Sequence, residues 1–150
     1  MSEKVKTAED LFLQGYNCSQ SVFAAFSKEV NLDRKTTLML SSPFGAGMGR
    51  LREVCGAVSA MFMIAGLKYG YSEPLDGVKA EHYKFIHELA HIFKEQNGSI
   101  ICREQLGLEN PEGSPVPEKR TEDYYNNRPC LELVKRAAEI IEKFLEEKEV

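Results

Sequence analysis

The chain has 150 residues, of which 43% are hydrophobic and 28% charged, with a formal net charge of −4. That length suffices for one domain, residues 1–150, with a full hydrophobic core and no need of disulfide staples. The acidic balance disfavours nucleic acid as a partner, which wants clustered Lys and Arg, and no apolar run approaches the roughly 20 residues of a membrane span.

Apolar residues recur at helical spacing almost throughout, and no segment shows the alternation of a strand. A first helix is expected from Thr7 to Gln14, stopped by Gly15. Asn17 then stands where an N-cap is wanted, which puts Cys18 in the first turn of a helix carrying Val22, Phe23, Ala25 and Phe26. Asp33 can cap a short helix through Leu40. A glycine-rich stretch, Gly45-Ala46-Gly47-Met48-Gly49, follows, and then a helix expected from Leu51 to Tyr69 that is apolar on nearly every side. Such a helix is usually central and buried. Gly70 to Pro74 reads as a turn, Leu75 to Gln96 as a long helix, and Ser99 as the cap of a short helix to Leu106 that holds Cys102. Residues 109–128 read as a long Pro- and charge-rich loop of the kind that is often functional. Pro129 suits the first helical position, so Cys130 opens a terminal amphipathic helix. The fold class expected is all-α: a single-domain helical bundle whose core is the helices from Leu51, Leu75 and Pro129, with cysteines near helix N-termini.

All four cysteines of the chain, Cys18, Cys55, Cys102 and Cys130, thus fall at helix starts. Unsatisfied N–H groups and the partial positive charge of a helix N-terminus favour a thiolate, the form that ligates metal or attacks a disulfide. The N-terminal Met-Ser-Glu-Lys-Val-Lys-Thr lacks the apolar stretch of a secretory signal. A cytoplasmic location is expected, and reduced thiols there point to metal or redox chemistry before structural disulfides. No CxxC pair is present, and the spacings of the four match no zinc finger, ribbon or ferredoxin run. Folding can still bring them together, as redox centres and metal ligands. An iron–sulfur cluster suits a glycine-rich surround, because the N–H groups near Gly45, Gly47, Gly49 and Gly56 can donate to sulfurs. Zinc, or no metal with a dithiol–disulfide pair, are the alternatives, and an interaction module with inert, core-filling cysteines is the bland one. Arg50 and Arg52 are readable either as partners of thiolates or as surface charges.

His87-Glu88-Leu89-Ala90-His91 matches the HExxH signature of zinc proteases. At about 100° per residue, His87 and His91 fall about 160° from Leu89, on the face away from the apolar residues. They should point to solvent, which disfavours the protease reading, and His82 should face the core. A nucleotide-loop reading of the glycine stretch lacks the preceding strand it needs.

These segments resemble the C_GCAxxG_C_C family of redox-active proteins. The likeness is carried by Gly15 to Val22, by Phe44 to Arg50 with Glu53 to Val58, by Gly98 to Gly107, and by Arg128-Pro129-Cys130. It covers nearly the whole chain and gives all four family cysteines a counterpart. Ala60 stands where the motif ends in Gly. The resemblance implies a small helical protein with a cysteine-centred redox role. A related cysteine-bearing domain is associated with an iron–sulfur cluster in some multihaem cytochromes. The expected partner is a redox protein, with no nucleic acid and no membrane insertion, and an acidic surface compatible with a monomer or a homodimer.

Overall fold

Ser2 opens the first helix: its side chain accepts from the Val5 N–H, so α1 runs Glu3–Leu13, a turn earlier than the apolar pattern requires. The computed structural model describes residues 1–108 and 114–149. Asn17 caps α2 (Cys18–Ala25) through a reciprocal pair, its side chain taking the Gln20 N–H while the Gln20 side chain takes the Asn17 N–H. Both orphan donors of that helix end are satisfied locally, which fixes where α2 begins. Asp33 caps α3 (Arg34–Ser41) one way only, its side chain accepting from the Thr36 N–H and hydroxyl. Then come α4 (Gly56–Tyr69), α5 (Asp76–Asn97), α6 (Cys102–Leu106), α7 (Glu122–Asn127) and α8 (Cys130–Lys148). The described residues form no sheet, and their one backbone bridge is antiparallel, between Val54 and Ile101. The all-α expectation holds.

The centre of the bundle is α2, which packs against α1, α3, α4 and α8. Val22, Phe23 and Phe26 are fully buried there, each worth roughly 1.5–3 kcal/mol of transfer free energy. The apolar helix α4 is buried as expected, through Val58, Met61 and Ile64. The long helix α5 is the element that departs from the reading: Leu89 and Phe93 are its fully buried residues, and it lies on the outside of α4 and α8. A 22-residue helix buries one stripe only, and the rest of this one is charged.

Two further corrections concern the site. The helix expected from Leu51 starts at Gly56, because residues 52–55 are drawn out to pair with 100–103. Cys55 N–H donates to the Ile100 carbonyl at 2.7 Å, and Cys102 N–H donates to the Glu53 carbonyl at 2.6 Å. The stretch read as a loop at 109–128 contains α7, capped by the Thr121 side chain, while residues 109–113 lie outside the described residues.

Candidate functional site: a cavity walled by four cysteines

Cys18, Cys102 and Cys130 are the first residues of α2, α6 and α8, and Cys55 is the cap residue of α4. The four helix starts converge, so all four cysteines line one cavity of about 240 Å³. The packing of α2, α4 and α8 brings three of them there. The backbone pairing of 52–55 with 100–103 fixes Cys102 beside Cys55.

The glycine stretch wraps this cavity in an unusual form. Ala46, Gly47, Met48, Gly49 and Arg50 all have positive φ, and Arg52 follows at φ 61°. Gly49 N–H donates to the Gly45 carbonyl at 2.9 Å, closing a turn of left-handed helix. Each non-glycine residue in that conformation costs roughly 1–2 kcal/mol, so the turn is held by its surroundings rather than by its own preference. A Cβ on Gly45 would fall 2.1 Å from the Asn17 side chain, and one on Gly56 would fall 2.6 Å from Cys18 Sγ. The glycines are the positions where backbone is pressed against the cysteine helices. Asn17→Ala, which removes the cap of α2 and a hydrogen bond to the Ser42 carbonyl, is expected to cost about 1–2 kcal/mol in urea unfolding.

Backbone N–H groups act on two of the sulfurs, those of Ala46, Ser19 and Gly56 favouring the thiolate of Cys18 and those of Ala57 and Val58 that of Cys55. The expectation that helix starts make these thiols acidic is overturned. Burial raises Cys18 despite its three donors, raises Cys55 well above the ordinary thiol range, and pushes Cys130 up to about 12. Removal from water outweighs a partial helix charge, and nearby sulfurs add to the effect because two thiolates repel. No disulfide joins the four. Among the described residues, no group of three or more His, Cys, Asp and Glu side chains is placed to hold a single metal ion.

Arg52, readable from sequence as a surface charge, is 4% exposed and donates to Cys102 Sγ at 3.6 Å. Arg50 turns to the segment after residue 114, where it pairs with Glu118 at 3.7 Å. Arg128 pairs with the same carboxylate. Arg120 donates to the carbonyls of Phe12 and Tyr16, each at 2.9 Å, and stacks 4.2 Å over the Phe12 ring. These contacts set Pro115, Pro117, Glu118 and Tyr124 into the cavity wall, so the described part of the expected loop flanks the cysteines. The sequence reading missed Arg120 and Arg128, and their only signal was basic residues within a covering loop.

The HExxH residues are elsewhere. His87 is exposed, His91 pairs with Glu95 at 3.1 Å on the surface, and Glu88 faces Lys148 at 3.7 Å. His82 is half-buried against Tyr71.

Four cysteines that converge on one cavity of a helical domain are the shared feature of the site. The chain belongs to the family described as "Putative redox-active protein (C_GCAxxG_C_C)", whose model matches residues 16–144. No curated protein and no solved structure matches it. Among the described residues no helix is long and apolar enough to cross a membrane.

Proposed function

We propose that this is a redox protein in which Cys18, Cys55, Cys102 and Cys130 together hold an iron–sulfur cluster for electron transfer. The observation that carries the reading is the meeting of all four cysteines on one cavity wall. Four thiolates are the usual donor set for such a cluster, and amide donors to sulfur are a recognised means of tuning it. When bound, the cluster would supply one-electron storage. The protein's own part is to orient the sulfurs by the helix starts, to neutralise charge with Arg52 beside Cys102, and to keep water out with the flanking segment.

The test is purification without oxygen, followed by a visible absorption spectrum and assays of iron and sulfide on the same sample. The expected result is stoichiometric iron and sulfide in the wild-type protein, reduced at least about tenfold in each single Cys→Ser variant, since four ligands act as one unit. A colourless protein free of iron overturns the reading and makes a dithiol–disulfide pair the working function, to be followed by thiol titration under reductant.

A further inference from the structure

Four arginines, Arg50, Arg52, Arg120 and Arg128, line the cysteine cavity, where Glu118 is the one carboxylate among the described residues. The chain as a whole is acidic, with a formal net charge of −4, so this concentration of guanidinium groups is local and opposite in sign to the rest. Only one of the four, Arg52, donates to a sulfur. Arg50 and Arg52 each keep a buried Nε–H without a hydrogen-bond partner among the described residues. A buried donor on a cation left unmade is costly, and a guanidinium fork is shaped for two oxygens of one delocalised anion.

We propose that the cavity carries a binding site for a small oxyanion or carboxylate, held by Arg52 and Arg50 with Arg120 and Arg128 around the mouth. The ligand is small because the cavity, at about 240 Å³, lies below the range of drug-sized pockets. It is charged because a one-sign wall in a low-dielectric cleft draws in and holds the opposite sign. Glu118 is the counterweight: it occupies Arg50 and Arg128 when the cavity is free, and an entering anion displaces it. This site shares its cavity and Arg52 with the proposed cluster, so the metal-free state tests the anion alone.

Inorganic phosphate and acetate serve as probes, titrated calorimetrically into the full chain at low ionic strength. The protein is tested as purified and again after a chelator and reductant have removed any bound metal. Saturable binding in either state is expected. Arg52→Gln should weaken it about tenfold or more, the cost of one charge-assisted hydrogen bond. Because a buried arginine on a strained turn can be needed for folding, Glu118→Gln is the second variant, on a half-exposed side chain. It should tighten binding by roughly threefold or more, an effect opposite in sign to any loss of fold. Lys84→Gln, on the exposed face of α5, should leave it unchanged. Absence of saturable binding in both states, or an unaltered affinity in Glu118→Gln, overturns the proposal.

Discussion

Gly47→Ala is expected to lower the unfolding free energy by about 3 kcal/mol, whereas Gly49→Ala, two residues on, should cost only about 1 kcal/mol. Both glycines sit in the left-handed turn, at φ 67° and 61°, so an alanine pays the same backbone penalty at each. They differ in the space around them. A Cβ on Gly47 would lie 2.6 Å from Cys102 Cβ, 2.8 Å from Arg52 Cα and 2.8 Å from the Glu53 nitrogen. Two of those are backbone atoms fixed by the bridge to residues 100–103, so no side-chain rotation relieves the clash. A Cβ on Gly49 meets nothing nearer than the Pro43 carbonyl, at 3.8 Å. In a domain of this length the difference should appear as a melting temperature lower by roughly 10 °C for Gly47→Ala and by about 3 °C for Gly49→Ala. Equal losses would mean that the turn is not pressed against the Cys102 segment as described.

Alkali is expected to weaken the reduced, metal-free protein, by roughly 3 kcal/mol between pH 9 and 12. Burial raises the folded-state pKa of Cys18 and Cys55 and takes Cys130 to about 12. In the unfolded chain a thiol titrates near 8.5. Below about pH 8.5 both states keep their thiol protons and the stabilisation is fully present. Above it the unfolded chain releases protons that the folded protein still binds, so stability falls with rising pH and is lost as each folded-state pKa is passed. Urea midpoints at intervals from pH 7 to 12 would show the decline, and Cys130→Ala should make it shallower. A slope indifferent to Cys130→Ala would mean that this thiol is hydrated in solution.

The parts of the site that could be read from sequence are those written in local chemistry. Asn17 and Gln20 form a capping box whatever lies beyond them, and Pro129 fixes the start of α8, so the positions of Cys18 and Cys130 at helix starts follow from neighbours in the chain. The outward His87 and His91 follow from helix periodicity. What could not be read depends on residues far apart. Residues 51–58 carry apolar side chains at helical intervals, yet 52–55 are not helical, because hydrogen bonds to 100–103 outweigh the local pattern. The burial of Arg52 comes from the same pairing. The central place of α2 was obscured by its length: eight residues give too short a pattern to show how completely they are enclosed. The rise in thiol pKa was invisible for a related reason, since each helix start taken alone predicts the reverse. Only their convergence removes the water.

The bridge between Val54 and Ile101 closes the chain on itself. Everything between those two residues, α4, the turn after it and α5, leaves the cysteine cavity and returns to it as a hairpin tied at its base. The far tip, residues 72–77, is exposed throughout and shares no hydrogen bond with the cavity walls. A tether, a dye or a pair of new chain ends placed at Ser72 and Glu73 would therefore sit at a site of low backbone constraint. The hairpin gives the molecule a handle remote from its thiols, by which it can be anchored to an electrode or joined to another protein while the cavity stays free.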